Sequence, residues 1–247
     1  MLGNVLSLFD GISGGQVALD RLGIKYENYY ASEIDKYAIQ ITQKNYPKTI
    51  QIGDVTKVKA SDLPKIDLLM GGSPCQGFSI ANQNRKNLVF NEYGVCSDER
   101  SQLFFEFVRL LKETKPKWWF LENVRMKKDS MDVINKALGV EPILINSNLV
   151  SAQNRQRYYW TNIPIDKLPE DKDIMLRDIL EGDCEITDAV KASPSTGLAF
   201  VGHAASIKVN DNRKRVYHPS GKAPTLLTPS GGYSEPKVLC GGLASWT

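Results

Sequence analysis

Ile66-Asp67-Leu68-Leu69-Met70-Gly71-Gly72-Ser73-Pro74-Cys75-Gln76 reads as a short buried strand that stops at two glycines and a proline and delivers a cysteine. Ile66–Met70 is apolar but for one aspartate, and the Gly-Gly-Ser-Pro run punctuates it. Open α/β sheets bind ligands outside the carboxyl ends of their strands, so this turn carries Cys75 to where a site belongs. A cysteine there is partly exposed, and nearby cations or helix ends favour its thiolate.

Working outward, strand-like and helix-like segments alternate. Asn4–Phe9, Glu27–Ala31, Trp118–Leu121 and Ile143–Asn146 are strand candidates. Gln16–Leu22, closed by Gly23, and Lys36–Asn45, stopped before Pro47, read as helices. Ser101–Thr114 is a third, with Leu103, Phe104, Phe107, Leu110 and Leu111 recurring at helical spacing. The alternation predicts an α/β fold, a mostly parallel sheet with helices on both faces. After Asn162 proline, glycine, serine and charge rise, and Met175–Leu180 is the last periodic segment. The chain is therefore divided into 1–162, which carries the strand ends, and a smaller loop-rich region, 163–247.

The 247 residues, 42% hydrophobic and 24% charged, suit one α/β domain with a small appendage. No apolar run approaches the ~20 residues of a membrane span, and the start MLGNVLSLFDG lacks the features of a secretory signal. Cytoplasmic residence is the expectation. A net charge of +3 does not by itself point to nucleic acid. Local clusters, Arg213-Lys214-Arg215 and Arg155 with Arg157, can neutralise phosphates all the same. Cys75, Cys96, Cys184 and Cys240 share no close spacing and there are two histidines, so neither a metal nor a disulfide framework is expected.

Other strand ends carry chemistry too. Phe9-Asp10-Gly11-Ile12-Ser13-Gly14-Gly15 follows a strand and opens a helix, letting backbone approach a nucleotide-like cofactor, although a structural turn uses glycine equally well. Glu33 ends the second strand, where a carboxylate accepts from ribose hydroxyls; alone it reads as a helix cap. Asp54, in Gly53-Asp54-Val55, accepts from an adenine amine or is a turn aspartate. Glu122-Asn123-Val124 leaves the strand Trp118–Leu121, so neighbouring strands bring a thiol and a carboxylate to one edge of the sheet.

LFDGISGG, ASEI, GDV, GGSPCQGFS, RSQLFFEFVRLL, PKWWFLENV and SAQNRQRYYW, in this order, resemble the cytosine-C5 DNA methyltransferase family. The likeness covers Val5 to Trp160, with a further match at Arg215–Thr225, and its wording is similar to phage or bacterial enzymes and to the de novo animal methyltransferases. Ser13 stands where many members carry a second glycine. The resemblance implies a Rossmann-like S-adenosylmethionine-dependent methyltransferase fold. It implies Cys75, Glu122, Arg155 and Arg157 as catalytic residues, with Cys75 the nucleophile toward carbon 6 of a flipped cytosine. Phe9, Gly11, Ser13, Gly14, Glu33, Ile34, Asp54, Val55, Pro74 and Leu103 are then expected to bind S-adenosylmethionine. Gln76, Ser79, Arg85, Lys86 and Arg215 are expected against double-stranded DNA, with Gln76–Arg100 as a loop closing over the base. Residues 163–247 become a small target-recognition region, and a short site containing CG is the expectation. His218 reads as structural.

Three other readings stay open: a transfer RNA cytosine methyltransferase, a regulatory paralogue without chemistry, and a dinucleotide-binding oxidoreductase. The first usually carries a Cys-Phe-Thr tripeptide that this sequence lacks, the second would not retain Cys75 and Glu122, and the third leaves their pairing unexplained. The roles in view, in a bacterial or phage-infected cell, are restriction-modification, phage self-protection and regulation. The family also closes with a Gly-Asn-containing segment, and the sequence is expected to stop short of it. Apolar surface near Phe9 and Gln16–Leu22 would then await a complementing chain.

Overall fold

The computed structural model describes residues 1–74, 99–180, 197–203, 215–225 and 237–238. A seven-stranded sheet runs in the order β3-β2-β1-β4-β5-β7-β6. Its strands are β1 (Leu2–Leu8), β2 (Tyr26–Ser32), β3 (Ile50–Gln51), β4 (Ile66–Gly71), β5 (Trp118–Val124), β6 (Ile143–Asn146) and β7 (Gln156–Thr161). β3, β2, β1, β4 and β5 pair in parallel, and β7 lies antiparallel to β5. The order reverses between β1 and β4, whose last residues Leu8 and Gly71 are register partners. The glycine turn after β1 and the Gly72–Pro74 run after β4 therefore leave the sheet side by side at the switch point, where open α/β sheets take ligands.

Period-two burial fills both faces. Leu6, Leu8, Leu69, Trp119 and Leu121 pack with Phe104, Phe107 and Leu110 of α3 (Glu99–Thr114) and Ile134 of α4 (Lys128–Leu138). Val5, Leu68, Met70 and Tyr29 pack with Leu19 of α1 (Gly14–Arg21). Helix α2 (Lys36–Asn45) begins at Asp35, whose carboxylate accepts from the Tyr37 and Ala38 N–H groups. Gly15 marks the closest approach of α1 to the sheet, since a Cβ there would run into Met70 and Tyr29.

Some elements differ from the sequence expectation. β5 continues three residues past Leu121, so Glu122 stands within the strand rather than beyond it. Helix α4 was not foreseen; its start, Lys127-Lys128-Asp129-Ser130, is polar, and its apolar Met131, Ile134 and Leu138 recur only afterwards. Met175–Leu180 contracts to one 3-10 turn, Leu176–Asp178. An apolar groove lies beside α1, lined by Leu2, Ala18, Leu22, Ile24, Trp118 and Phe120 among others. It does not reach Phe9, which packs against the cluster on the opposite face. No helix among the described residues is long and apolar enough to cross a membrane.

Contacts divide the chain into two compact units, 1–144 with 157–165, and 145–156 with 166–247. The sequence reading drew its line after 162; the contacts group 145–156 with the later residues. In the second unit β8 (Phe200–His203), β9 (Arg215–Tyr217) and β10 (Lys237–Val238) form a small sheet. Backbone bonds Ala223 N–H to Ala152 O and Asn154 N–H to Ala223 O lock residues 152–154 onto the segment after β9. Lys222, 3% exposed, donates from Nζ to the Asn148 and Ile174 carbonyls.

Candidate active site

Register brings the acid and a base together. Glu122 of β5 pairs with Tyr159 of β7, and Val124 with Arg157, so Glu122 and Arg157 are diagonal neighbours on one face. Arg157 Nε lies 2.8 Å from Glu122 Oε1, with side chains 13% and 29% exposed respectively. A Cβ on Gly72 would sit 3.3 Å from Glu122 Oε2. The next residue along each strand ties the same two elements. Asn123, 1% exposed, donates from Nδ2 to Ser73 Oγ at 3.2 Å. The chain two and three residues before Cys75 is thus fixed against the Glu122 strand. Cys75 itself, with Gln76, Ser79, Arg85 and Lys86, lies outside the described residues.

A cleft in the first unit is walled by Phe9, Ser32, Glu33, Ile34, Asp54, Val55, Pro74 and Leu103. Seven of these eight are expected cofactor residues; Ser32, whose Oγ donates to Gly53 O at 2.7 Å, was missed, and its place just before Glu33 was the available signal. Glu33 Oε2 accepts from Gly11 N–H at 2.8 Å, and Oε1 from the Ile34 and Asp35 N–H groups at 2.8 and 2.9 Å. The carboxylate thereby ties the glycine turn to the end of β2. Phe9, Gly11 and Ser13 all have positive φ, of 58°, 58° and 66°, a cluster of left-handed residues in one turn. Gly14 starts α1 directly after it.

Asp54 Oδ1 accepts from Thr56 Oγ1 at 2.8 Å and Thr56 N–H at 3.0 Å. The Thr56 hydroxyl first, then its N–H, hold the Asp54 carboxyl below its usual range. A lowered carboxyl pKa keeps its stabilising contribution above the ordinary value near 4 and loses it only as pH falls through the lowered one. Cofactor affinity owed to Asp54 should therefore be level from about pH 7 to about pH 5, which calorimetry across that range would check.

Arg155 takes a different place from Arg157. Side-chain alternation begins with β7 at Gln156, and Arg155 precedes it in the second unit. Its N–H donates to Asn146 Oδ1 at 2.9 Å and its carbonyl accepts from Ser147 N–H at 3.0 Å, closing a tight loop. Arg215 opens β9 with an exposed side chain. His218 is buried, its Nδ1 accepting from Ser220 N–H at 3.1 Å.

Strand order, switch-point turn and cleft define a Rossmann-like methyltransferase. Residues 3–192 match the profile of the C-5 cytosine-specific DNA methylases, and the chain belongs to that family. Among its relatives, the orphan methyltransferase M.SPBetaI of Bacillus phage SPbeta is 30% identical over 326 aligned positions, covering 95% of this chain and 73% of the phage protein. The orphan methyltransferase M.SPRI of Bacillus phage SPR is 36% identical over 193 residues, 72% of this chain and 42% of its own length. In fold, the chain resembles Schizosaccharomyces pombe Dnmt2 (S. pombe) with TM-score 0.60 at 20% identity, covering 89% of this chain and 70% of that one. A Spodoptera frugiperda DNMT2 variant gives 0.54 at 22%, covering 73% of this chain and 60% of that one.

The family uses S-adenosylmethionine, and the cleft fits it. Ile34 is 76% exposed although apolar, and with Phe9, Val55, Pro74 and Leu103 it offers walls for a flat base. Glu33 and Asp54 supply carboxylate acceptors for hydroxyls and an amine. Replacing either by alanine should weaken binding of S-adenosylhomocysteine, with duplex affinity little changed. Unaltered affinity in both variants, read by calorimetry, would refute the mapping.

Proposed function

We propose that this chain methylates carbon 5 of cytosine in duplex DNA through a covalent adduct between Cys75 and carbon 6 of a flipped base. What supports the reading is the Glu122–Arg157 pair set against Gly72 and Ser73, the residues leading into Cys75. Carbon 5 of cytosine is a poor nucleophile. Bond formation between the Cys75 thiolate and carbon 6 breaks the ring's aromaticity and makes carbon 5 enamine-like. Glu122 places a proton at ring N3 and accepts from the exocyclic amine where charge develops. Arg157 reaches O2, and Arg155 holds the site or a phosphate. S-adenosylmethionine supplies the electrophilic methyl group. A base then takes the carbon 5 proton and the Cys75–carbon 6 bond breaks, restoring the thiolate.

The chemistry needs the base out of the stack. Gln76, Ser79, Arg85, Lys86 and Arg215 serve there as DNA contacts, and residues 163–247 act as the target-recognition region. We place the enzyme in the cytoplasm of a bacterial or phage-infected cell. Incubation with labelled S-adenosylmethionine and either duplex DNA or transfer RNA tests the reading. Label should enter DNA, within a short site that bisulfite sequencing locates; label in transfer RNA alone overturns it in favour of the RNA methyltransferase. Dnmt2 is the name of both fold neighbours, which keeps that alternative concrete.

A complementing chain that supplies the family's Gly-Asn-containing closing segment is a separate proposal. Assaying the purified chain alone decides the matter: turnover and cofactor affinity of an intact enzyme, from a stable monomer, would remove the need for it.

A further inference from the structure

Ser13 occupies the N-cap of α1 but does not cap it. Its backbone is left-handed (φ 66°, ψ 43°), and its side chain makes no capping bond. A serine at this position ordinarily turns its oxygen onto the N–H groups of the first turn. Here the hydroxyl is engaged elsewhere: Gln16 Nε2 donates to Ser13 Oγ at 2.7 Å and to Thr49 Oγ1 at 2.8 Å, while Tyr26 OH donates to Gln16 Oε1 at 2.8 Å. Ser13, Gln16 and Thr49 are 0%, 2% and 6% exposed. One buried amide therefore joins the turn after β1, the start of β2 and the segment before β3. A left-handed serine is disfavoured, so something must hold it.

We infer that Gln16 is the positioning residue of the cofactor turn: its amide holds the Ser13 hydroxyl away from the start of α1 and so preserves the left-handed turn that the cofactor meets. The inference rests on the assignment of residues 9–14 to S-adenosylmethionine. Without Gln16, the buried Ser13 hydroxyl loses its donor and rotates onto first-turn N–H groups, and the turn relaxes. A glycine at 13 has no hydroxyl to misplace and adopts positive φ without strain. The role of Gln16 is consequently conditional on serine at 13, which a purely structural role is not.

The experiment is a double-mutant cycle on the full chain, read by calorimetric binding of S-adenosylhomocysteine alongside thermal melting. Gln16→Leu should weaken binding about tenfold, the scale of one lost hydrogen bond, and Ser13→Gly serves as the reference for the double variant. Gln16→Leu with Ser13→Gly should bind within about threefold of Ser13→Gly alone, by the coupling expected of contacting residues. Thr49→Val, which removes the amide's second anchor, gives a milder loss rescued by the same glycine, and serves if Gln16→Leu does not fold. Binding unchanged in Gln16→Leu, or a double variant weaker than Ser13→Gly by the same factor, overturns the inference. Glu33→Ala separates the two levels: if it too leaves binding intact, the cofactor assignment of the cleft has failed, and with it the role of Gln16.

Discussion

Replacing Cys75 by serine should abolish methyl transfer, by at least about three orders of magnitude as expected for loss of a covalent nucleophile. A serine hydroxyl stays protonated at neutral pH, whereas a thiol titrates near 8.5 and lower beside cations. The substitution leaves Glu33, Asp54 and the other described walls of the cleft untouched, so cofactor affinity should hold. The scaffold should hold as well, because β4 ends at Gly71 and Ser73 is anchored by Asn123. DNA carrying 5-fluorocytosine gives the positive counterpart. Fluorine at carbon 5 cannot leave as a proton does, so the Cys75–carbon 6 bond should persist and be located by mass spectrometry. An adduct on another residue, or none from an active preparation, would reject Cys75 as nucleophile.

The parallel half of the fold was legible because its signals are local. Ile66–Met70, Lys36–Asn45 and Ile143–Asn146 are apolar or periodic runs bounded by turn formers, and they form the elements expected. Strand-end position also carried the cofactor cleft, since Glu33, Asp54 and Pro74 each follow a strand or its turn. What the sequence concealed depends on partners distant in the chain. The extension of β5 through Glu122 comes from pairing with β7, some 35 residues later, and nothing between 121 and 124 announces it. Arg155 was grouped with Arg157 in the sequence, but the Asn146 side chain holds its backbone one residue before β7 begins. Gln16 read as an ordinary helix position; its value lies in Ser13, Thr49 and Tyr26, which meet only in the fold. Glu33 and Asp54 both brace backbone and also line the cleft, so a bracing role does not compete with the expected cofactor role.

Glu122→Gln should be the second most damaging substitution, lowering kcat by about two to four orders of magnitude, the range for a positioned general acid. The amide has nearly the shape of the carboxylate, so the strand and the Asn123–Ser73 tether should persist. What changes is charge. Glutamine cannot deliver a proton to ring N3, and it removes the negative charge that stands 2.8 Å from Arg157 Nε. Removing one partner of such a pair costs more than the pair contributes, because the remaining charge stays partly desolvated. Stability should therefore fall, by about 1–3 kcal/mol, while cofactor affinity of the folded protein holds. A loss of kcat no larger than the loss of folded protein would show that Glu122 acts through packing alone. A kcat within tenfold of the parent in Glu122→Gln would remove it from the proton-transfer step altogether.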